Sequence, residues 1–125
     1  MANVEKTLEF YNRALDIPTY YIHPSRGYGE LKTGTTLLAF ISQKFIEETD
    51  LFGDISIVYP RPGEPTIGAQ VAFTTEKLDE VWQKAVGAGA VVHKAPVLKP
   101  WGQRVGYLFD PNGVIVELAS LSLRP

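Results

Sequence analysis

A chain of 125 residues, 45% apolar and 21% charged, carries enough hydrophobic side chains for one core and lacks the composition of a disordered segment. Its net charge of -2, with no run of Lys or Arg, excludes a general attraction for nucleic acid. No cysteine is present, which excludes disulfides, thiolate chemistry and cysteine-ligated zinc, and no apolar run approaches a membrane span.

The predicted elements begin with a helix over Val4–Leu15, entered directly from Met1-Ala2-Asn3; with no leader pattern ahead of it, a cytoplasmic location is expected. A short strand follows at 20–22, then a hairpin of strands 28–33 and 35–41 turning near Gly34. Residues 43–51 suggest a short helix. Residues 53–66, with three prolines and two glycines, read as a linker. From 67 to 74 the pattern alternates, Val71 and Phe73 on one side and Gln70 and Ala72 on the other, as a half-buried strand requires. Thr74 or Thr75 can cap the next helix, where Leu78, Val81, Trp82, Ala85 and Val86 form one apolar stripe. Gly87 and Gly89 stop it. Val91-Val92-His93 is a short strand, and Pro96 and Pro100 bracket a loop ending at Trp101. Strands at 103–109 and 114–120 are joined by Asp110-Pro111-Asn112-Gly113, a strong turn signal.

The chain repeats itself. The run from Glu5 to Leu15 aligns without a gap on the run from Glu76 to Val86, sharing Glu-Lys, a later Glu, an apolar-aromatic pair, an amide, a base and Ala. The same order of elements follows each helix. A single α+β domain of two βαβββ modules is therefore expected, module 1 over 1–52 and module 2 over 67–125. One element is missing: only Met1-Ala2-Asn3 precedes the first helix, where a full strand precedes the second. The resulting open edge needs a cover, expected from Leu121-Ser122-Leu123 or from a second subunit.

The run Pro100-Trp101-Gly102-Gln103-Arg104-Val105-Gly106-Tyr107 and the run from Phe109-Asp110-Pro111-Asn112-Gly113 to Glu117-Leu118 resemble the C-terminal signature of the vicinal oxygen chelate superfamily, which includes glyoxalases, bleomycin-resistance proteins and dioxygenases. Leu8-Glu9-Phe10-Tyr11 is similar to its opening helix. The resemblance implies an open, curled mixed sheet, a half-barrel cup with helices outside and a small molecule in the concavity. It also implies a homodimer, since many relatives build the cup across a two-fold axis.

Alternation sorts the side chains. Val105, Tyr107, Phe109, Val114, Val116 and Leu118 are expected beneath the Trp82 helix. Arg104, Gly106, Leu108, Ile115, Glu117 and Ala119 are then expected to line the cup, with Glu117 opposite Gly106. Gln70 faces the cup, as do Leu38 and Phe40 on the first hairpin, and Tyr28 and Glu30 if Leu31 packs outward. Trp101 offers a stacking wall at the rim or packs on the sheet. Glu117 either pairs with Arg104 or Gln70 or receives a ligand's cationic or hydroxyl group.

Relatives that use a metal hold one divalent ion with four side chains. Position by position, Glu117 matches one ligand, Gln70 stands where a His is usual, Leu38 cannot ligate, and the fourth place lies on the missing strand. Two candidates fall short of the three protein ligands or so that a catalytic ion needs. His23 and His93 read as solvated loop histidines. The expectation is a cofactor-free protein that sequesters a small aromatic or cationic molecule, with a metal-dependent lyase, isomerase or dioxygenase as the alternative.

Overall fold

The computed structural model describes residues 1, 3–53, 59, 64 and 70–121. Helix α1 (Val4–Leu15) begins at Asn3, whose side chain accepts the Lys6 N–H at 2.9 Å and satisfies a donor that has no partner inside the helix. It ends at Asp16, where a left-handed φ of 55° lets the backbone N–H reach back to the Tyr11 carbonyl. The buried stripe of α1, including Val4, Leu8, Tyr11 and Ala14, lies on an antiparallel sheet of β1 (Thr19–Ile22), β2 (Tyr28–Thr33) and β3 (Thr36–Ile41), in that order. Gly34, at φ 84°, supplies the left-handed conformation that the two-residue β2–β3 turn requires. Helix α2 (Gln43–Thr49) follows, its first turn capped by the Ser42 hydroxyl, which accepts the Phe45 N–H at 3.1 Å.

The second module contains β4 (Gln70–Thr74), α3 (Leu78–Gly87), β5 (Val91–Leu98), β6 (Arg104–Phe109) and β7 (Ile115–Ala119). Its sheet runs β4-β7-β6-β5, with β4 parallel to β7 and the other pairs antiparallel. Each helix descends onto its sheet at a glycine. A Cβ on Gly106 would stand 2.6 Å from Trp82 Cζ3 and 3.0 Å from Pro96 Cγ, and one on Gly29 would stand 2.6 Å from Leu8 Cδ1. Gly29 and Gly106 are thus equivalent points of the two modules.

The modules meet through their helices and one turn. α1 packs against α3, and Lys84 Nζ pairs with the Asp16 carboxylate between them. Tyr11, fully buried, donates its hydroxyl to Asp110 Oδ2 at 2.7 Å, and Asn112 Nδ2 donates to Thr7 Oγ1 at 2.9 Å. Among the described residues no helix is long and apolar enough to cross a membrane.

Two face assignments are corrected. Phe109 pairs with Ile115, leaving the five residues 110–114 in the turn, so Tyr107 stands opposite Glu117 and Gly106 opposite Leu118. The expected pairing of Glu117 with Gly106 assumed a four-residue turn; one residue of slip turns all of β6 over. Arg104, Gly106 and Leu108 therefore face α3, where Arg104 Nη2 donates to Asp79 Oδ1 at 3.0 Å, and Val105, Tyr107 and Phe109 face away. β7 faces as expected. On β3 the run Leu37-Leu38-Ala39-Phe40-Ile41 is apolar throughout, so alternation carries no information there. Pairing decides instead: Leu31 is buried under α1, its partner Leu38 shares that face, and Phe40 stacks on Tyr11 at 5.3 Å.

Smaller departures follow from local bonds. β5 extends to Leu98 through the stretch expected as loop, bulging near His93 and Pro96. α3 starts at Leu78 rather than Glu76, with the Thr75 hydroxyl accepting the Lys77 N–H at 3.0 Å. β3 has β2 as its single described neighbour. Residues 67–69, most of the linker and Ser122-Leu123 lie outside the described residues.

The two glycine contacts differ in what must yield. Trp82 is a rigid ring wedged between strands, whereas Leu8 Cδ1 is the end of a flexible chain. Gly106→Ala is expected to cost about 2–3 kcal/mol of unfolding free energy and Gly29→Ala about 1 kcal/mol or less, measured by urea denaturation. Equal losses would show that the helix–glycine contact at Trp82 is not a tight constraint.

Candidate functional site

α1 and α3 cover one face of the two sheets, and the opposite face carries the polar chemistry. On the second sheet Tyr107 and Glu117 are direct cross-strand partners, and Tyr107 donates its hydroxyl to Glu117 Oε1 at 3.3 Å. On the other side of β7, Ala72 lies beside Glu117, and Gln70 lies beside Ile115 on the same face. Glu117 is half-buried, with Phe109 and Ile115 as apolar neighbours at the next pair on the same face, two pairs along. Ala72 leaves open the space that a larger side chain would fill.

The first sheet repeats the theme. Tyr28 donates its hydroxyl to Glu30 Oε2 at 2.8 Å. Tyr21 is the β1 partner of Glu30, and its ring lies 6.4 Å from that of Tyr28. Phe45 of α2 completes the group, its ring 6.1 Å from Tyr28 and 5.1 Å from His23. Each sheet therefore presents one carboxylate held by one phenol, with further rings or apolar side chains beside it.

Of the residues singled out from the sequence, Glu117, Gln70, Tyr28 and Glu30 lie on this helix-free face. The described hydrogen bonds and ring contacts form two clusters and do not join Tyr28 or Glu30 to Gln70 or Glu117. Leu38 and Phe40 are core beneath α1, and Arg104 is committed to Asp79 on the helix side. Trp101 sits in the β5–β6 turn, 50% exposed, donating Nε1–H to Gln103 Oε1 at 2.9 Å. Tyr107 was assigned to the core, and Tyr21 and Phe45 carried no signal of their own. The Tyr107 error is the register slip. Phe45 reaches Tyr28 only because α2 folds back on β2, where Gly27 leaves room for it.

The donor set fits a divalent ion poorly. With the registers above, the position equivalent to Glu117 in the first module is Ala39, since Gly29 pairs with Phe40 as Gly106 pairs with Leu118. Ala39, like the Leu38 first assigned there, cannot ligate. His23 hydrogen-bonds to Ser25 at 2.7 Å, and His93, expected as a solvated loop residue, lies at a bulge of β5 with its ring 5.3 Å from Phe109. Among the described residues no three His, Cys, Asp or Glu side chains come together. One carboxylate and one amide are fewer ligands than a catalytic ion needs.

The family model of the Glyoxalase/Bleomycin resistance protein/Dioxygenase superfamily matches residues 1–118, and the chain belongs to that superfamily. Its fold is similar to that of a glyoxalase/bleomycin resistance protein/dioxygenase family enzyme from Burkholderia phytofirmans PsJN, at 19% identity and a TM-score of 0.76, covering 96% of this chain and 91% of that one. A glyoxalase-related enzyme from Fulvimarina pelagi aligns at 19% identity and a TM-score of 0.75, over 97% and 82% of the two chains. TioX from Micromonospora sp. ML1 aligns at 19% identity and a TM-score of 0.70, over 96% and 91%. These likenesses establish the shared fold. No curated protein matches the chain in sequence.

The phenols are tuned by their surroundings. Tyr107 is raised above the ordinary value of 10.0 by desolvation first and then by Glu117, and Tyr28 is raised mainly by its hydrogen bond to Glu30. Tyr11 is raised far more, by burial and then by Asp110. Since the fold favours the neutral phenols, their contribution to stability is complete below the unfolded value near 10 and falls as pH rises through the folded values. An alkaline titration followed by tyrosinate absorbance is expected to show late-titrating groups, one of which Tyr107→Phe removes. Loss of amplitude near pH 10 instead of in the late part of the curve would mean the Tyr107–Glu117 pair does not form.

Proposed function

We propose that this protein binds a small cationic or aromatic molecule on the helix-free face without using a metal ion, in the manner of a sequestering, resistance-type member of its superfamily. The observation that carries this reading is the pairing of each carboxylate on that face with a tyrosine hydroxyl. A half-buried carboxylate that accepts one phenolic hydrogen bond has remaining lone pairs for a ligand's ammonium, guanidinium or hydroxyl group. The rings of Tyr21, Tyr28 and Phe45 beside Glu30, and of Phe109 near Glu117, supply the apolar and cation–π surface that a planar cation prefers to water. The donor count argues against the metal-dependent lyase or dioxygenase reading, because no described trio of ligating side chains exists to hold an ion.

Isothermal titration against a panel of planar aromatic cations and quaternary ammonium compounds is the direct experiment. At least one compound is expected to bind, and Glu117→Gln is expected to weaken it by roughly tenfold or more, the loss of one charge-assisted contact. Silence across the panel, or equal binding by the variant, would overturn the reading. Stoichiometric divalent metal in the purified protein would replace it with the enzymatic alternative.

The same reading places the protein in the cytoplasm as a dimer. Val91 and Val97 of the edge strand β5, on the face of their partners Phe109 and Val105, are 62% and 53% exposed, an apolar surface that a second subunit would cover. Light scattering is expected to return the dimer mass, and Val97→Asp to shift it toward the monomer. A monomeric wild-type protein at high concentration would remove the dimer.

A further inference from the structure

The third strand of each module has a different neighbourhood. β7 lies between β6 and a parallel β4, whereas β3, among the described residues, is paired with β2 alone. In a hairpin closed by a two-residue turn, Thr33 and Thr36 exchange backbone hydrogen bonds, and every second pair beyond them does the same. Thr36, Leu38 and Phe40 thus direct their backbone groups to β2, and Leu37 and Ala39 direct theirs to the open edge.

At the far end of that edge a second ladder has already started. The Met1 nitrogen donates to the Ile41 carbonyl at 3.2 Å, and Gln43 N–H donates to the Met1 carbonyl at 2.9 Å. Those two bonds, one to the residue before Ser42 and one from the residue after it, are the repeating unit of a parallel pairing. The geometry there sets the direction for anything that continues it along Ala39 and Leu37.

The rest of the edge looks into a cleft of about 500 Å³. Its walls come from Ile17, Leu37 and Leu38 on one side and from Val71, Ala72 and Phe73 of β4 on the other. Among the described residues β4 is itself paired only with β7, so two strand edges open into one space. Ile17, Leu38 and Phe73 are partly buried against the core, which makes the helix side of the cleft apolar. The charges at its lining are one Lys32 and one Asp16, which leave no net preference for a charged occupant.

We propose that this cleft is a strand-accepting site. It takes an extended, uncharged polypeptide segment, parallel to β3, with apolar side chains at alternate positions pointing toward α1. Such a segment satisfies the backbone groups of Leu37 and Ala39 on one side and meets the β4 edge on the other, linking the two sheets. The second module shows the pattern required: β4 fills the equivalent place with Gln70-Val71-Ala72-Phe73-Thr74, its Val71 and Phe73 half-buried and its Gln70, Ala72 and Thr74 exposed. Main-chain hydrogen bonds would provide the affinity, and the alternate apolar positions the selectivity. This inference is independent of the small-molecule reading, which concerns the helix-free face.

The test uses the whole protein and a capped synthetic peptide with the chain's own 70–74 sequence, read by amide hydrogen exchange. Addition of peptide is expected to slow exchange at Leu37 and Ala39. Ala39→Pro is expected to abolish binding while keeping the urea midpoint close to wild type, since proline is tolerated where the N–H faces away from the ladder. Leu37→Lys, which places a charge in the cleft without touching the backbone, is expected to weaken binding at least tenfold and serves if the proline variant fails to fold. Free exchange of both amides at saturating peptide would overturn the proposal, as would unchanged binding by both variants. Protection of Leu37 and Ala39 that rises with protein concentration in the absence of peptide would also overturn it, making a second copy the occupant.

Discussion

The Asp110 carboxylate is the point on which the arrangement of this protein turns. It is 4% exposed and accepts three hydrogen bonds, from the backbone N–H groups of Asn112 and Val114 and from the Tyr11 hydroxyl. Burying a carboxylate is costly unless its lone pairs are filled, and three donors fill them. The two backbone bonds close a five-residue turn, and that length puts Tyr107 opposite Glu117. A turn one residue shorter would send Tyr107 under Trp82 and bring Leu108 to the face opposite the helices. The third bond fastens the turn of one module to the helix of the other. Local register, the site and the module interface thus share one side chain.

The two modules divide their labour by face. Beneath the helices the contacts are close and apolar, and Gly29 and Gly106 set how near each helix can come. The opposite faces have no such constraint and hold the phenol–carboxylate pairs. A duplicated fold allows this because each copy needs only one face for its stability. Metal chemistry would require both copies to keep carboxylate or imidazole at equivalent strand positions. Here Ala39 stands where its counterpart is Glu117, and the strand that would carry a further ligand in the first module is not among the described elements.

That missing strand also shapes the molecule as a whole. Among the described residues the first sheet has three strands and the second has four, so the pseudo-symmetry is incomplete there at the line where the sheets approach each other. Met1 closes one residue of the edge and leaves the remainder open to the cleft. An unpaired edge beside an apolar groove is a physical liability unless something covers it.

Much of this architecture could be read before any coordinates. The aligned helices, the order of elements after each and the Asp110–Gly113 turn were all legible, because amphipathic periodicity and turn chemistry are local properties written in consecutive residues. Glu117 and Gln70 were placed on the correct face for the same reason, lying on strands that alternate cleanly. Leu38, Phe40, Arg104 and Tyr107 were not. Their orientation depends on which residue pairs with which across a hairpin. That is set by the number of residues in a turn and by the partner under the helix, Leu31 for one strand and Leu118 for the other. An unbroken apolar run such as Leu37 to Ile41 can present either side equally well. Only burial against Tyr11 and Trp82, contributed by distant parts of the chain, decides between them.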